Sequence, residues 1–180
     1  MEKVVLLNEE LEPIGEADKA TIHTLETPLH FAFSFFLFNS KGEYLIQKRA
    51  LHKITWPGVW SNTCCGHPMP GETLKDAVYR RLKHELGYER SDFEIIEAVP
   101  DFRYKAEFNG VVENEFCPVW IGFSDKLPIP NPDEVAETGF VNWQEFLECL
   151  KDSECNKFDQ FSIWSKQEAL LIEKTGLVKC

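Results

Sequence analysis

The chain has 180 residues, 43% of them hydrophobic, and 19 basic residues against 30 acidic ones leave a formal net charge of -11. That length and apolar content suit one domain, residues 1–180, whose core needs neither disulfides nor structural metal. The acidic balance disfavours nucleic acid and anionic membrane as partners, because both require a basic face, and an anionic substrate would need a local basic pocket.

With no basic-apolar leader and no apolar run of membrane-span length, a cytoplasmic protein is expected. Cys64, Cys65, Cys117, Cys149, Cys155 and Cys180 show no disulfide-framework spacing, so all six are expected to be thiols in a reducing compartment.

In chain order, residues 4–7 read as a short strand, followed by a polar turn that carries Pro13 and Gly15. Residues 31–38 form a continuous apolar run, as in a strand buried on both faces, and residues 39–42 are turn chemistry leading into a partner strand over 43–47. A central hairpin is expected there. Leu74, Ala77, Val78, Leu82 and Leu86 recur at helical spacing, which predicts a helix over 73–86 with Gly87 as its stop signal. Arg81 and Glu85 interrupt the apolar stripe of that helix, where charge is costly without a partner. They mark either a site beside the helix or an ion pair at its edge.

Further strands are predicted over 93–99, 101–108 and 111–123. Asn109-Gly110 between two such runs predicts a two-residue type I′ hairpin loop. Phe108 then faces Val111, Ala106 faces Glu113, and Tyr104 faces Glu115, so the Tyr104 phenol and the Glu115 carboxylate come within hydrogen-bonding reach. Asn142 with Glu145 resembles a capping box opening a helix through residue 150, and a last helix covers 162–174. The interleaved elements and the antiparallel hairpin predict an α/β fold, a mixed sheet with helices on both faces.

Chemistry concentrates in the runs TCCGHP and VVENEFCP. Strand alternation puts Cys65 and His67 on one face and Cys64 on the other, in packing. A thiol beside a cation or imidazolium has a lowered pKa and exchanges protons near neutrality, which makes Cys65 an acid/base candidate, although a free cysteine is most often a small buried hydrophobe. His23, His30 and His67 can converge with Glu113 and Glu115 on a divalent cation. Nitrogen and oxygen donors without thiolate fit zinc, manganese or magnesium equally.

The stretch containing Gly66, Glu72, Arg80, Leu82, Glu85 and Gly87 resembles a Nudix box, a loop-helix-loop that holds metal against a diphosphate. Arg81 and His84 stand where Nudix hydrolases have acidic residues on the helix, so the carboxylate cluster needed for hydrolysis is depleted. Together with TWPGVWSNTCCGHP, PDFRYKA and VVENEFCP in this order, the chain resembles type I isopentenyl-diphosphate isomerases from Leu6 to Trp164.

The resemblance implies a Nudix-type α/β fold, a mixed β-sheet sandwiched between helices, and an enzyme that interconverts isopentenyl and dimethylallyl diphosphate. It also implies Cys65 and Glu115 as the acid/base pair, assisted by Tyr104. His23, His30, His67, Glu113 and Glu115 match metal-binding positions, and Glu85 the carboxylate that helps hold magnesium on the substrate diphosphate. Lys19, Arg49, Lys53 and Arg81 match diphosphate contacts, and Trp164 the aromatic beside the isoprenoid. Trp60 and Phe33 are further candidates for excluding water. The implied partner is a small prenyl diphosphate, with the protein a monomer or a homodimer. Two other readings stand beside this one: a Nudix hydrolase of a diphosphate, and a silent module that binds metal or prenyl diphosphate without turnover.

Overall fold

The computed structural model describes residues 2–179, so Cys180 lies outside the described residues. Its strands are β1 (Lys3–Leu7), β2 (Pro13–Asp18), β3 (His30–Phe31), β4 (Phe33–Phe38), β5 (Glu43–Arg49), β6 (Trp60–Ser61), β7 (Cys64–Gly66), β8 (Ile95–Val99), β9 (Arg103–Phe108), β10 (Val111–Phe116), β11 (Val119–Phe123) and β12 (Val135–Asn142). Its helices are α1 (Lys19–Ile22), α2 (Leu74–Leu86), α3 (Trp143–Lys151) and α4 (Ile163–Thr175).

The strands form two sheets. One runs β2-β1-β3-β10-β9; the other runs β12-β5-β4-β11-β8, with β6 added to β5 and β7 to β4. Two stretches read from sequence as single strands cross between the sheets. The apolar run over 31–38 divides at Ala32 into β3 and β4, and the run over 111–123 divides at Cys117-Pro118 into β10 and β11. Proline has no N–H to give a ladder, so pairing stops there and the chain changes sheet.

Alternation along β4 explains the layers. Phe33, Phe35 and Leu37 pack with Ala77, Val78, Leu82 and Leu86 of α2. Phe36 and Phe38 pack with Trp143, Phe146 and Leu147 of α3 and with Ala169 and Ile172 of α4. The seven-stranded sheet is thus sandwiched between helices, as expected for a strand apolar on both faces.

The predicted hairpin of residues 31–38 with 43–47 exists only at its turn. β4 and β5 pair solely at Phe38 and Tyr44, and then splay so that β6 and β7 fill the gap. Residues 13–18 are a strand rather than the polar turn expected around Pro13 and Gly15. β12 carries little alternation in its sequence and was not foreseen; it pairs along β5 from Asn142↔Glu43 to Val135↔Arg49.

Local signals fare better at α2. Thr73 caps the helix by accepting from the Asp76 N–H at 3.2 Å, and Gly87 ends it at φ 70°, the left-handed conformation glycine adopts freely. At α3, Asn142 Oδ1 accepts from the Glu145 N–H at 3.0 Å. The Glu145 carboxylate turns to Lys157 instead, so only half of the capping box forms.

The cysteine expectation requires correction. Cys149 and Cys155 are joined in a disulfide with Cα atoms 5.3 Å apart, a separation suited to that bond. α3 ends at Lys151, and backbone bonds from Asp152 to Cys149 and from Cys155 to Asp152 fold the chain back on itself. Cys64, Cys65 and Cys117 are free thiols.

Candidate active site

The Asn109-Gly110 turn sets the register that builds the site. Asn109 and Gly110 have φ of 51° and 79°, and β10 pairs β9 with Glu115↔Tyr104 and Glu113↔Ala106, as the type I′ loop predicts. β10 also pairs β3 in parallel, with Glu115↔His30, and His30 in turn faces Leu6. Tyr104, Glu115 and His30 therefore form one row across three strands.

The phenol of Tyr104 donates to Glu115 Oε2 at 2.8 Å. The other carboxylate oxygen, Oε1, lies 2.9 Å from His67 Nε2 and 3.4 Å from His30 Nε2. His23, immediately after α1, places Nε2 3.0 Å from Glu113 Oε2. His23, His30, His67 and Glu113 each offer a ligand atom within 4.8 Å of the others.

These donors fit a divalent cation. Nδ1 of His23 faces the Lys19 carbonyl at 3.2 Å and Nδ1 of His30 the Pro28 carbonyl at 3.0 Å. A carbonyl only accepts, so the ring proton sits on Nδ1 and Nε2 presents a bare lone pair inward. Two such lone pairs face buried carboxylate oxygens, and both His23 Nε2 and Glu113 Oε2 lack a hydrogen-bond partner. A cation held there would relieve that arrangement. Burial pushes His67 down to about 3 despite the Glu115 carboxylate beside it, keeping a neutral imidazole that could ligate. Burial would raise Glu115, but the imidazoles of His30 and His67 beside it outweigh burial and hold the carboxyl well below its usual range.

Cys65 arrives from the other sheet. It faces Ser34 on β4, with its Sγ 3.4 Å from Ser34 Oγ, while Cys64 is wholly buried in the α2-side core, as alternation predicts. Gly66 leaves room after Cys65: a Cβ there would lie 3.0 Å from Arg81 Cγ and 3.1 Å from the Phe33 ring. Burial, with the Glu168 charge adding to it, pushes Cys65 up to about 12. The expected lowering of this thiol is therefore corrected: its histidine neighbour is neutral, and burial with the Glu168 and Glu115 carboxylates outweighs the Arg49 charge that lowers it, so Cys65 rests as S–H.

A cavity of about 370 Å³ opens between the sheets, and Cys65, Glu115, Tyr104 and Trp164 line it. Trp164 stands 5.6 Å from the Tyr104 ring and 5.3 Å from Trp56, centroid to centroid. Trp56 has φ 47°, a strained value for a bulky residue that its packing between Phe108 and Trp164 sustains. Of the other proposed water-excluding residues, Phe33 lies in the core under Gly66 and Trp60 stacks on Phe161; neither lines the cavity.

Lys19, Arg49, Lys53 and Arg81 all reach its mouth. Carboxylates already hold three of these cations: Glu2 meets Lys19 at 2.6 Å and Arg81 at 3.4 Å, and Glu134 meets Arg81 at 3.1 Å and Lys53 more closely still. Burial opposes ionisation of Glu134, yet Arg81 and Lys53 hold it down to about 2. The Arg49 guanidinium donates to Thr55.

Glu85 is not among the residues that line the cavity. It is buried behind Arg81, accepting from Arg81 Nη2 at 2.6 Å and from Gln47 Nε2 at 3.0 Å. Both readings of the pair thus hold, an i,i+4 ion pair and a site beside the helix. Glu134, carried on the loop before β12, occupies the mouth instead; no local pattern marked it. Asn62, whose Oδ1 accepts from the Cys65 thiol at 3.1 Å and the Trp164 indole at 3.2 Å, was also missed, although it stands inside the TWPGVWSNTCCGHP run.

A model of the NUDIX domain matches residues 28–161. The solved Deinococcus radiodurans protein DR0079 shares the fold with a TM-score of 0.68, at 21% identity over 97% of this chain and 99% of that one. The molecule is a Nudix-fold protein whose cleft joins a histidine-carboxylate cluster to a cationic mouth. At the level of sequence, it is 53% identical to the isopentenyl-diphosphate Delta-isomerase of Saccharopolyspora erythraea, over 98% of this chain and 88% of that protein. It is 44% identical to the enzyme of the same name from Mycolicibacterium vanbaalenii, over 98% and 94%. The chain belongs to the isopentenyl-diphosphate isomerase family.

Proposed function

We propose that this enzyme interconverts isopentenyl and dimethylallyl diphosphate, with Cys65 and Glu115 exchanging protons with the allyl unit from opposite walls of the cleft. The observation that carries this reading is the placement of an S–H and a carboxylate, from different sheets, on one aromatic-lined cavity. Moving a carbon-carbon double bond by one position needs a proton delivered to one carbon and another removed from the far side of the unit. Cys65 and Glu115 are the two groups, and reversal of the reaction exchanges their roles.

Each neighbour has a task. Tyr104 orients Glu115 and stabilises its negative charge. Protonation of an unactivated alkene leaves a tertiary carbocation; Trp164 offers it a π face and, with Tyr104 and Trp56, keeps water from quenching it. Lys19, Arg49, Lys53 and Arg81 take the diphosphate, which exchanges with the Glu2 and Glu134 carboxylates now paired with these cations.

His23, His30, His67, Glu113 and Glu115 would hold a divalent ion, zinc, manganese or magnesium by donor type. When bound, that ion would supply positive charge beside the Glu115 carboxyl and tune its proton affinity. A magnesium ion with the substrate diphosphate, to which Glu85 is assigned by resemblance, would need Arg81 to release it. A Nudix hydrolase reading is weaker, because Arg81 and His84 replace helix carboxylates. The protein acts on a small molecule, as a single domain in the cytoplasm and as a monomer or homodimer; no described helix is long and apolar enough to cross a membrane.

The test is incubation of the metal-loaded protein with isopentenyl diphosphate in heavy water. Deuterium should enter substrate and product, and its absence in folded protein eliminates the isomerase reading.

A further inference from the structure

Arg81 and His84 stand one turn apart on α2, and the chemistry above leaves His84 without a task. Both meet Glu134, on the loop between β11 and β12. A single oxygen, Glu134 Oε2, contacts Arg81 Nη2 at 3.1 Å and Lys53 Nζ as well, so one anionic oxygen bridges two cations from different elements. An oxygen of a bound phosphate can make the same bridge between a guanidinium and an ammonium. The second oxygen, Oε1, lies 3.2 Å from His84 Nε2. His84 is half exposed and does not line the cavity.

The backbone that carries Glu134 is braced on both sides. Asn131 donates from its N–H to the Glu85 carbonyl at 2.8 Å and from Nδ2 to the His84 carbonyl at 3.3 Å, satisfying carbonyls that the last turn of α2 leaves without helical partners. The N–H groups of Glu134 and Val135 both donate to the Asn131 carbonyl at 2.9 Å, and the Ala50 N–H, one residue beyond Arg49, donates to the Glu134 carbonyl at 3.0 Å. Held in this way, the loop keeps the carboxylate within reach of the mouth, and the side-chain torsions of Glu134 are what can turn. Such a turn takes the carboxylate off Lys53 and Arg81 while it stays against His84.

We propose that Glu134 is a built-in competitor for the diphosphate: it holds Lys53 and Arg81 in the free enzyme, moves onto His84 when substrate takes those cations, and returns to displace the product. The proposal rests on the reading that the mouth takes a diphosphate, and deepens it by naming what sets the affinity. Lys53 and Arg81 without a shared anion would repel each other and would grip any polyanion tightly. A carboxylate on both keeps them together before binding, and the need to exchange it weakens the hold on what binds. Substrate and product carry the same diphosphate, so Glu134 acts on both alike. Its effect falls on departure of the product and not on the proton transfers at Cys65 and Glu115.

The experiment titrates inorganic pyrophosphate, with magnesium held constant, into metal-loaded wild type, Glu134→Gln, His84→Ala and the double variant. Removing the charge in Glu134→Gln should tighten Kd about tenfold and lower KM for isopentenyl diphosphate by a similar factor. His84→Ala should weaken Kd about threefold, because the displaced carboxylate loses its remaining partner, and should change nothing once Glu134 is replaced. A residue that only supported the fold would weaken binding on removal. Unchanged or weaker Kd in Glu134→Gln therefore overturns the competitor, as does a His84→Ala effect that persists in the double variant. One measurement needs no variant: pyrophosphate should shift the His84 ring resonances of wild type in NMR spectra, and resonances that stay in place overturn the move onto His84. Wild type that fails to bind pyrophosphate overturns the competitor and the diphosphate reading of the mouth together. Binding without deuterium uptake sinks the isomerase reading alone, because affinity is read without turnover.

Discussion

Tyr104 and Glu115 face each other across β9 and β10, phenol to carboxylate at 2.8 Å, both almost wholly buried. Tyr104→Phe removes one charge-assisted hydrogen bond and leaves the ring packed against Trp164 and Phe102. We expect kcat to fall about tenfold to a hundredfold, as loss of a bond of roughly 1.5–3 kcal/mol implies. KM and thermal stability should change little, and unchanged kcat would remove Tyr104 from the mechanism.

Cys65→Ala should abolish isomerisation and deuterium uptake while keeping diphosphate affinity, because the cationic mouth is untouched. The loss should reach at least about a thousandfold. Calorimetric titration with a non-reactive diphosphate checks the binding half. Phosphate release that survives in the variant would favour the hydrolase reading.

Metal removal should destabilise as well as inactivate. Without a cation, the inward nitrogens of His23 and His30 confront Glu113 and Glu115. A chelator should lower Tm and erase activity, and zinc, manganese and magnesium added back singly should differ in restoring both. His67→Gln should weaken metal affinity about tenfold to a hundredfold or more; identical melting with and without chelator argues against a bound ion.

Arg81→Ala leaves Glu85 buried with only Gln47 to satisfy it. A broken buried pair costs about 3–5 kcal/mol, and adding Glu85→Gln should recover part of the stability but none of the diphosphate affinity. Chemical denaturation and binding titration separate the two effects. Full recovery of affinity would show that Arg81 serves only the fold.

Stability should also carry the signature of Glu168. Its folded carboxyl sits at about 8 against an ordinary value of 4.5, so the unfolded chain loses this proton first as pH rises. Stability from this group is complete below about pH 4.5, declines up to about 8, and is level above that. Glu168→Gln should therefore match wild type near pH 4 and exceed it progressively towards pH 8, by up to about 1.4 kcal/mol per pH unit. Parallel stability curves would place the wild-type carboxyl in its normal range.

Much of this molecule is legible in the chain. The Asn109-Gly110 turn determined the β9–β10 register, and with it the Tyr104–Glu115 bond. The spacing of Leu74, Ala77, Val78, Leu82 and Leu86, closed by Gly87, determined α2. The alternation at Cys64 and Cys65 separated a packed thiol from one in the cleft. These are local signals, in which a backbone conformation and the next few side chains suffice.

Only tertiary structure decided the rest. The sheet changes at Ala32 and Pro118 depend on which strand lies alongside, and the Cys149–Cys155 bridge on where a turn returns the chain. Glu85 turned inward because Arg81 and Gln47 met it there. Glu134 reached the mouth on a loop with no pattern of its own. The ionisation of Cys65 and Glu168 likewise follows from burial and from charges on distant strands, because a pKa is set by surroundings that residue spacing does not encode.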